Sequence, residues 1–350
     1  MNPSIEINGR KIGVDYSPYI IAELSANHNG HLENAIKIIE EAKKAGADAV
    51  KLQTYTADTI TLNSSAEEFT IRGGLWNGRT LYDLYKEAQM PWDWHRELFE
   101  HARKVDITIF SSPFDNSAVD LLETLNAPAY KIASFEAVDL PLIKYAASTG
   151  KPLIISTGMA DADEISEAIQ AARDGGCKEL AILHCVSGYP APARDYNLRT
   201  IQDMIYRHGL VTGLSDHTID NITAFTSVSM GASVIEKHFT LNRDGGGPDD
   251  SFSLEPEELK ELCRGAKTAW EALGRVDYGC KSSEVGNVQF RRSLYFVKTM
   301  KDGDVITADC IRSVRPGFGV APKYFDQIIG KKVIGDVALN TPVTFAKIMA

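Results

Sequence analysis

Short, continuously apolar runs alternate with longer amphipathic stretches through the first 274 residues. The apolar runs have the β-branched and aromatic content of buried strands: 19–25, 47–54, 107–112, 129–134, 153–157, 180–185, 211–215 and 233–239. Each is followed by a segment of helical period. The segment 32–45 places Ala35, Ile36, Ile39 and Ala42 on one face, and 117–125, 140–149 and 163–174 repeat the pattern. The last, 255–273, has Pro256 at a helix-opening position, where its missing N–H costs nothing. Strands apolar on both faces, alternating with helices, predict a parallel sheet covered by helices. Eight such units are the number that closes a (β/α)8 TIM barrel. A doubly wound open sheet is the rival. It would leave sheet edges, and no Gly-x-Gly-x-x-Gly follows the first strand to support a dinucleotide-binding version.

One connection is overgrown. Residues 55–106 hold Trp76, Trp92 and Trp94, three of the four tryptophans. Such aromatic content argues against disorder and leaves two readings, an extra helix on the barrel wall or a lid over a substrate pocket. After Gly274 the pattern changes. Residues 275–289 are polar and aperiodic, as in a linker, and 290–350 show short β-like runs at 293–298, 311–314 and 332–337 among Gly and Pro turns. The expected organisation is a barrel domain over 1–274, the linker, and a small β-rich domain that leans on the barrel or on a partner subunit.

Bulk composition narrows the function classes. A formal charge of −10 argues against non-specific nucleic-acid binding, although lysines gathered at one mouth can still attract a small anion. Five cysteines, widely spaced and without a C-x-x-C pair, read as reduced thiols. With no leader-like start and no apolar run of membrane length, the expectation is a soluble, cytoplasmic protein.

In a parallel barrel, chemistry sits at the C-terminal ends of the strands. Reading those ends in order gives Glu23, then Lys51 and Gln53, Ser112, Lys131 with Ser134 and Glu136, Ser156 before Gly158, and Ser187 with Tyr189. The last two runs end in Ser215-Asp-His217 and Glu236-Lys-His238. Lysine inside an apolar strand is costly without an anionic partner, so Lys51 and Lys131 point to a phosphate or carboxylate ligand, or to a salt bridge with Glu23 or Glu136. His217 and His238, at matched heights on neighbouring strands, suit a divalent metal that keeps positions open. Two imidazoles without thiolate favour Mn²⁺, with Mg²⁺ or Co²⁺ as alternatives, over structural zinc. Asp216 and Glu236 are candidate partners of the imidazoles, whereas His28, His31, His95, His101 and His208 read as surface residues.

Taken in order, Asn27-His-Asn-Gly, Lys51-Leu-Gln-Thr, Tyr130-Lys-Ile-Ala-Ser, Ile155-Ser-Thr-Gly-Met, Leu214-Ser-Asp-His-Thr, Glu236-Lys-His-Phe-Thr and Gly247-Pro-Asp resemble the sialic acid synthase family. The tail Val314-Arg-Pro-Gly-Phe-Gly is similar to that family's C-terminal antifreeze-like (SAF) domain. Within the family, 52–62 and 75–85 resemble the pseudaminic acid branch. Asn29 and Ser187 depart from the Glu and Asn that N-acetylneuraminate synthases tend to carry there.

The resemblance implies a metal-dependent condensation of phosphoenolpyruvate with an open-chain amino-sugar aldehyde and water. Lys51, Lys131, Ser112, Ser134, Ser156, Ser187 and Ser215 would hold phosphoenolpyruvate, Gln53, Tyr189 and Asp249 the sugar, and His217 and His238 the metal, with Glu136 a further substrate-binding residue. Glu23 would orient or deprotonate the water. Arg315 would reach from the SAF domain of one subunit to the barrel of the other in a homodimer. For the pseudaminic branch the sugar is 2,4-diacetamido-2,4,6-trideoxy-L-altrose. The alternatives are N-acetylneuraminate or legionaminic acid synthesis, a metal-free aldolase with a Schiff base on Lys131 or Lys51, and a non-catalytic sugar- or ice-binding protein.

Overall fold

Residues 2–349 are described in the computed structural model of the chain, and they divide after Gly274 into two compact units. The first unit opens with a hairpin, β1 (Ile5–Ile7) and β2 (Arg10–Ile12), which the sequence pattern did not suggest. Its turn is Asn8-Gly9, both residues at positive φ, the pair that a two-residue hairpin turn favours. Eight parallel strands follow: β3 (Tyr19–Glu23), β4 (Ala49–Thr54), β5 (Thr108–Pro113), β6 (Tyr130–Ile132), β7 (Leu153–Ser156), β8 (Leu180–Cys185), β9 (Val211–Asp216) and β10 (Val234–His238). They pair in the order β10-β3-β4-β5-β6-β7-β8-β9 and close, which excludes the open sheet.

Strand alternation divides this unit into two apolar layers. Outward residues such as Ile20, Ala22, Val50, Leu52, Ile132, Ile155 and Ile182 meet the helices in one large core. The helix Leu32–Ala45 buries Ala35, Ile38, Ile39 and Ala42 there and ends on Gly46, whose φ of 94° suits the left-handed cap. Inward residues Tyr19, Ile21, Ala49, Phe110, Ala129, Ile154, Leu183, Val211 and Val234 form the second layer, and Ile5, Ile7 and Ile12 of the hairpin belong to it. The hairpin is also tied to the strand starts: the Glu6 amide donates to Glu179, and Asn8 bonds Thr108. It stoppers the N-terminal end of the barrel.

The segment 55–106 divides into two parts. Its last helix, Trp92–Lys104, lays Leu98, Phe99 and Ala102 into the outer core as a wall. Its first half, with short helices at Ala57–Ile60 and Leu81–Ala88, lines a cavity at the barrel mouth.

The second unit pairs β11 (Ser293–Phe296) with β12 (Ile311–Val314) around a core of Leu294, Phe296, Ile306, Val333 and Val343. Overlapping the stretch read as a linker, Ser282–Phe290 is wound into 3₁₀ helix, and its residues are exposed. Among the described residues no helix is long and apolar enough to cross a membrane.

Because Ile7 is fully buried against the inner layer, Ile7→Ala should cost about 2–5 kcal/mol. Urea unfolding of the two proteins measures it; an unchanged midpoint would mean the hairpin contributes no packing.

Candidate functional site

Along each barrel strand, the inward positions turn from apolar to polar towards the C-terminal end. Tyr19 and Ile21 are followed by Glu23, Ala49 by Lys51 and Gln53, Phe110 by Ser112, Ala129 by Lys131, Ile154 by Ser156 and Val234 by Glu236 and His238. The parallel ladder sets Glu23 beside Lys51 on one side and beside His238 on the other, Gln53 beside Ser112, and Glu236 beside Ser215. Register alone therefore gathers most of the sequence-predicted residues into one ring.

At the floor of this ring, Lys51 Nζ lies 2.9 Å from Glu23 and 3.0 Å from Glu236 Oε1, and Lys131 Nζ donates to the same Glu236 oxygen at 2.9 Å. All four side chains are at most 5 % exposed. Lys131 thus pairs with Glu236 and not with Glu136, because Glu236 projects inward while Glu136 stands past the end of β6 on a 3₁₀ turn. Neither Glu236 nor Asp216 touches an imidazole, contrary to the expectation from sequence. Glu236 serves the lysines, and Asp216 points outward.

The charges on these groups differ despite their proximity. Burial would raise Glu236, but the two ammonium groups outweigh it and hold the carboxyl at about 2. For Glu23 burial wins over Lys51, and with Glu236 adding to it the carboxyl rises to about 7. Burial lowers Lys131 from the ordinary lysine value, whereas at Lys51 the two carboxylates outweigh burial and raise it, so when Glu23 carries a proton Glu236 is the one carboxylate facing two lysines.

Serines rim the floor. Ser112 Oγ is 3.4 Å from Lys51 Nζ, Ser215 Oγ 3.4 Å from Glu236, and the Ser156 hydroxyl is buried with no partner. Ser134 Oγ accepts from the Gly158 amide at 3.1 Å. A Cβ at Gly158 would overlap the hydroxyls of Ser134 and Ser187, so a side chain here would force the serine rim to shift.

Gln53 donates to Glu23 at 3.0 Å and to Ser25 at 2.9 Å, and the Ser25 hydroxyl donates to Asp249. Asp249, Tyr189 and His238 line a mouth cavity of about 380 Å³, with Gln53, Ser187 and Glu136. Tyr189 lies against His217, ring centroids 4.4 Å apart. Glu136 is raised to about 7, chiefly by burial, and its Oε2 has no partner.

His217 and His238 stand with ring centroids 5.5 Å apart. His217 Nδ1 lies 2.8 Å from the Val186 carbonyl, so Nδ1 carries the proton and, in the neutral ring, Nε2 keeps its lone pair free. His238 Nδ1 is buried without a hydrogen-bond partner, 3.8 Å from Asp249. Two free imidazole nitrogens beside an open cavity fit a divalent metal that takes its remaining ligands from substrate and water. Among the described residues no cluster of three or more His, Cys, Asp or Glu could hold an ion.

Arg315 lies in the second unit and is exposed. Two of the histidines read as surface residues are buried. His95 shares the inner face of its helix with Leu98, Phe99 and Ala102 and bonds Thr54 at 2.8 Å; His28 lies edge-on to Trp94. Burial lowers both to about 4. The i, i+3, i+4, i+7 spacing from His95 was the available signal.

Sequence reasoning also missed three supports. The Tyr196 hydroxyl accepts from the His217 amide at 2.6 Å, and Trp76 Nε1 donates to the Pro248 carbonyl at 3.1 Å, pinning the roof to the loop after β10. Lys237, next to His238, faces outward and is ladder neighbour to Asp216. Its Nζ bonds Asp216 at 2.9 Å and the carbonyls of Thr218 and Asp220 at 2.7 and 2.8 Å, bracketing His217.

Comparison with known proteins shows which family the chain resembles. The NeuB family model matches residues 38–278 and the SAF domain model residues 291–349. The chain is 43 % identical to the pseudaminic acid synthase of Helicobacter pylori over 93 % of its own length and 96 % of that protein's. It is 42 % identical to the pseudaminic acid synthase of Campylobacter jejuni serotype O:23/36, over 92 % and 94 %. The crystal structure of an N-acetylneuraminic acid (sialic acid) synthetase from Leptospira borgpetersenii in complex with citrate superposes with a TM-score of 0.73 at 31 % identity, covering 82 % of this chain and 96 % of that one.

Lys237→Met strips a buried carboxylate of its partner and should cost about 3–5 kcal/mol, read from thermal or urea unfolding. A loss below about 1 kcal/mol would show that the bracket around His217 is not held by this lysine.

Proposed function

The chain belongs to the NeuB family, and we propose that it condenses phosphoenolpyruvate with 2,4-diacetamido-2,4,6-trideoxy-L-altrose and water, yielding pseudaminic acid and phosphate. The observation that carries this reading is the convergence of Lys51 and Lys131 on one buried oxygen of Glu236, below a cavity that ends at His238. Two buried ammonium groups with an unpartnered Ser156 hydroxyl suit a small polyanion, phosphate at one end and carboxylate at the other. The pseudaminic acid synthases among its relatives support the choice of sugar.

In this reading the lysines neutralise phosphoenolpyruvate while the rim serines orient it. A divalent metal held by His217 and His238 would supply Lewis acidity to the aldehyde oxygen. Carbon 3 of phosphoenolpyruvate bonds to the aldehyde carbon, water adds at carbon 2, and phosphate leaves. Glu23, as carboxylate, takes the proton of that water, with Gln53 fixing its orientation. Glu236 accepts from both lysines, and this engagement disfavours a Schiff base on either. The reading includes a cytoplasmic homodimer in which Arg315 of one copy binds the sugar in the other.

Phosphate release should be fast with the altrose derivative, negligible with N-acetylmannosamine, and abolished by EDTA. A reversed ranking would overturn the sugar assignment, and EDTA-resistant turnover with borohydride-trapped pyruvyl adduct would overturn the mechanism.

Since Glu23 titrates at about 7 and acts ionised, kcat/KM should fall as pH drops through that value. Glu23→Gln should lower kcat by about 10²–10⁴ and remove this acid limb. An unchanged pH profile in the variant assigns the titration elsewhere.

A further inference from the structure

The roof of the mouth cavity carries a loop, residues 70–80, that is closed on itself. Thr70 and Thr80 pair as an antiparallel bridge at its neck. The Ile71 amide donates to the Arg79 carbonyl and the Gly78 amide to the Ile71 carbonyl, both at 2.8 Å. Nearer the tip, the Gly73 amide donates to the Asn77 side chain at 2.6 Å. From Arg72 to Gly78 every residue is exposed except Trp76. Its side chain turns the other way and, with Ile71, lines the cavity.

A loop that bonds its own backbone groups can leave its seat without stranding them. What holds this one down is Trp76. Among the described residues, the hydrogen bond from Trp76 Nε1 to the Pro248 carbonyl is the only one that joins 61–80 to anything outside 55–106. The indole also lies against Tyr189, ring centroids 5.9 Å apart. Both contacts lead to the imidazoles. Pro248 precedes Asp249, which is bonded by Ser25 and lies 3.8 Å from His238 Nδ1. Tyr189 lies against His217 at 4.4 Å and edge-on to His238 at 6.0 Å. A single hydrogen bond contributes little net free energy, because water replaces the partner when it opens. The attachment is therefore weak enough to break in every cycle, and it sits where two walls of the cavity meet.

We infer that the loop 70–80 is a lid with Trp76 as its latch. It swings off to admit and release the ligand of the mouth cavity, and when it is shut Trp76 positions Tyr189 and Asp249 beside the imidazoles. This rests on the proposed function for what the ligand is, the amino sugar on the way in and the condensed acid on the way out. The opening itself is a property of the loop and needs no substrate.

Trypsin cleavage after Arg72, at the exposed tip, reads the opening in the free protein, since cleavage follows the population of the open form when opening is fast. Trp76→Ala should speed this single cut by about tenfold, the factor one net hydrogen bond supplies, with the rest of the chain as resistant as in the wild type. Trp76→Phe keeps a ring against Tyr189 but loses the donor, and should fall between the two. Phosphoenolpyruvate together with the alditol of the altrose derivative, which has no aldehyde to react, should slow the cut in the wild type. In turnover, Trp76→Ala should raise the KM for the sugar by about tenfold and leave the KM for phosphoenolpyruvate unchanged, with part of the loss recovered in Trp76→Phe. Cleavage of Trp76→Ala after Arg72 at the wild-type rate overturns the latch, and so does an unchanged KM for the sugar. A wild type that releases no phosphate with the altrose derivative overturns the proposed function instead, and the cut in the free protein still decides the lid.

Discussion

Two ammonium and two carboxylate groups share a space inside the barrel that water does not reach. Removing any one of them would strand a charge in a medium of low polarity, a cost of several kcal/mol. They coexist because the barrel ladder makes Lys51 and Glu23 lateral neighbours, while Glu236 projects to meet both lysines. Their number also fixes the local potential. With Glu236 held ionised and Glu23 balanced near neutrality, the floor can change charge by one without rearranging a side chain. The serine rim, the glycine that lets it close in, and the cavity above are all arranged around this charge.

Most of the barrel was legible because strand and helix patterns repeat strongly. Ala49–Thr54, Leu180–Cys185 and the helix Leu32–Ala45 lie at or within two residues of the ends predicted from periodicity. The hairpin was not legible, since two three-residue strands are too short to show a period. At the site, the inventory of strand ends named residues that the barrel gathers into one ring, but misassigned their partners. Alternation settles partners: Glu236 and His238 face inward and Lys237 between them faces outward, so Glu236 joins the lysines and Asp216 joins Lys237. Glu136 fell to the same limit, because a 3₁₀ turn has no face that a sequence pattern reveals.

The two histidines owe their placement to groups on the far side of the sheet. The Lys237 ammonium grips the loop that carries His217 from outside, while His238, one residue on, projects within. Tyr196 and the Val186 carbonyl also fix His217, its amide to the phenol and its ring Nδ1 to the carbonyl. An imidazole so braced keeps its free nitrogen aimed without spending ligand affinity on ordering it.

The isoleucine-lined hairpin has a consequence for traffic. With the N-terminal end stoppered, the barrel is a cul-de-sac, and everything that enters or leaves passes the roof at the opposite end. A ligand seated on the lysine floor lies beneath whatever occupies the cavity above it. On the proposed function, the ligand of the floor would then enter before the ligand of the cavity and leave after it.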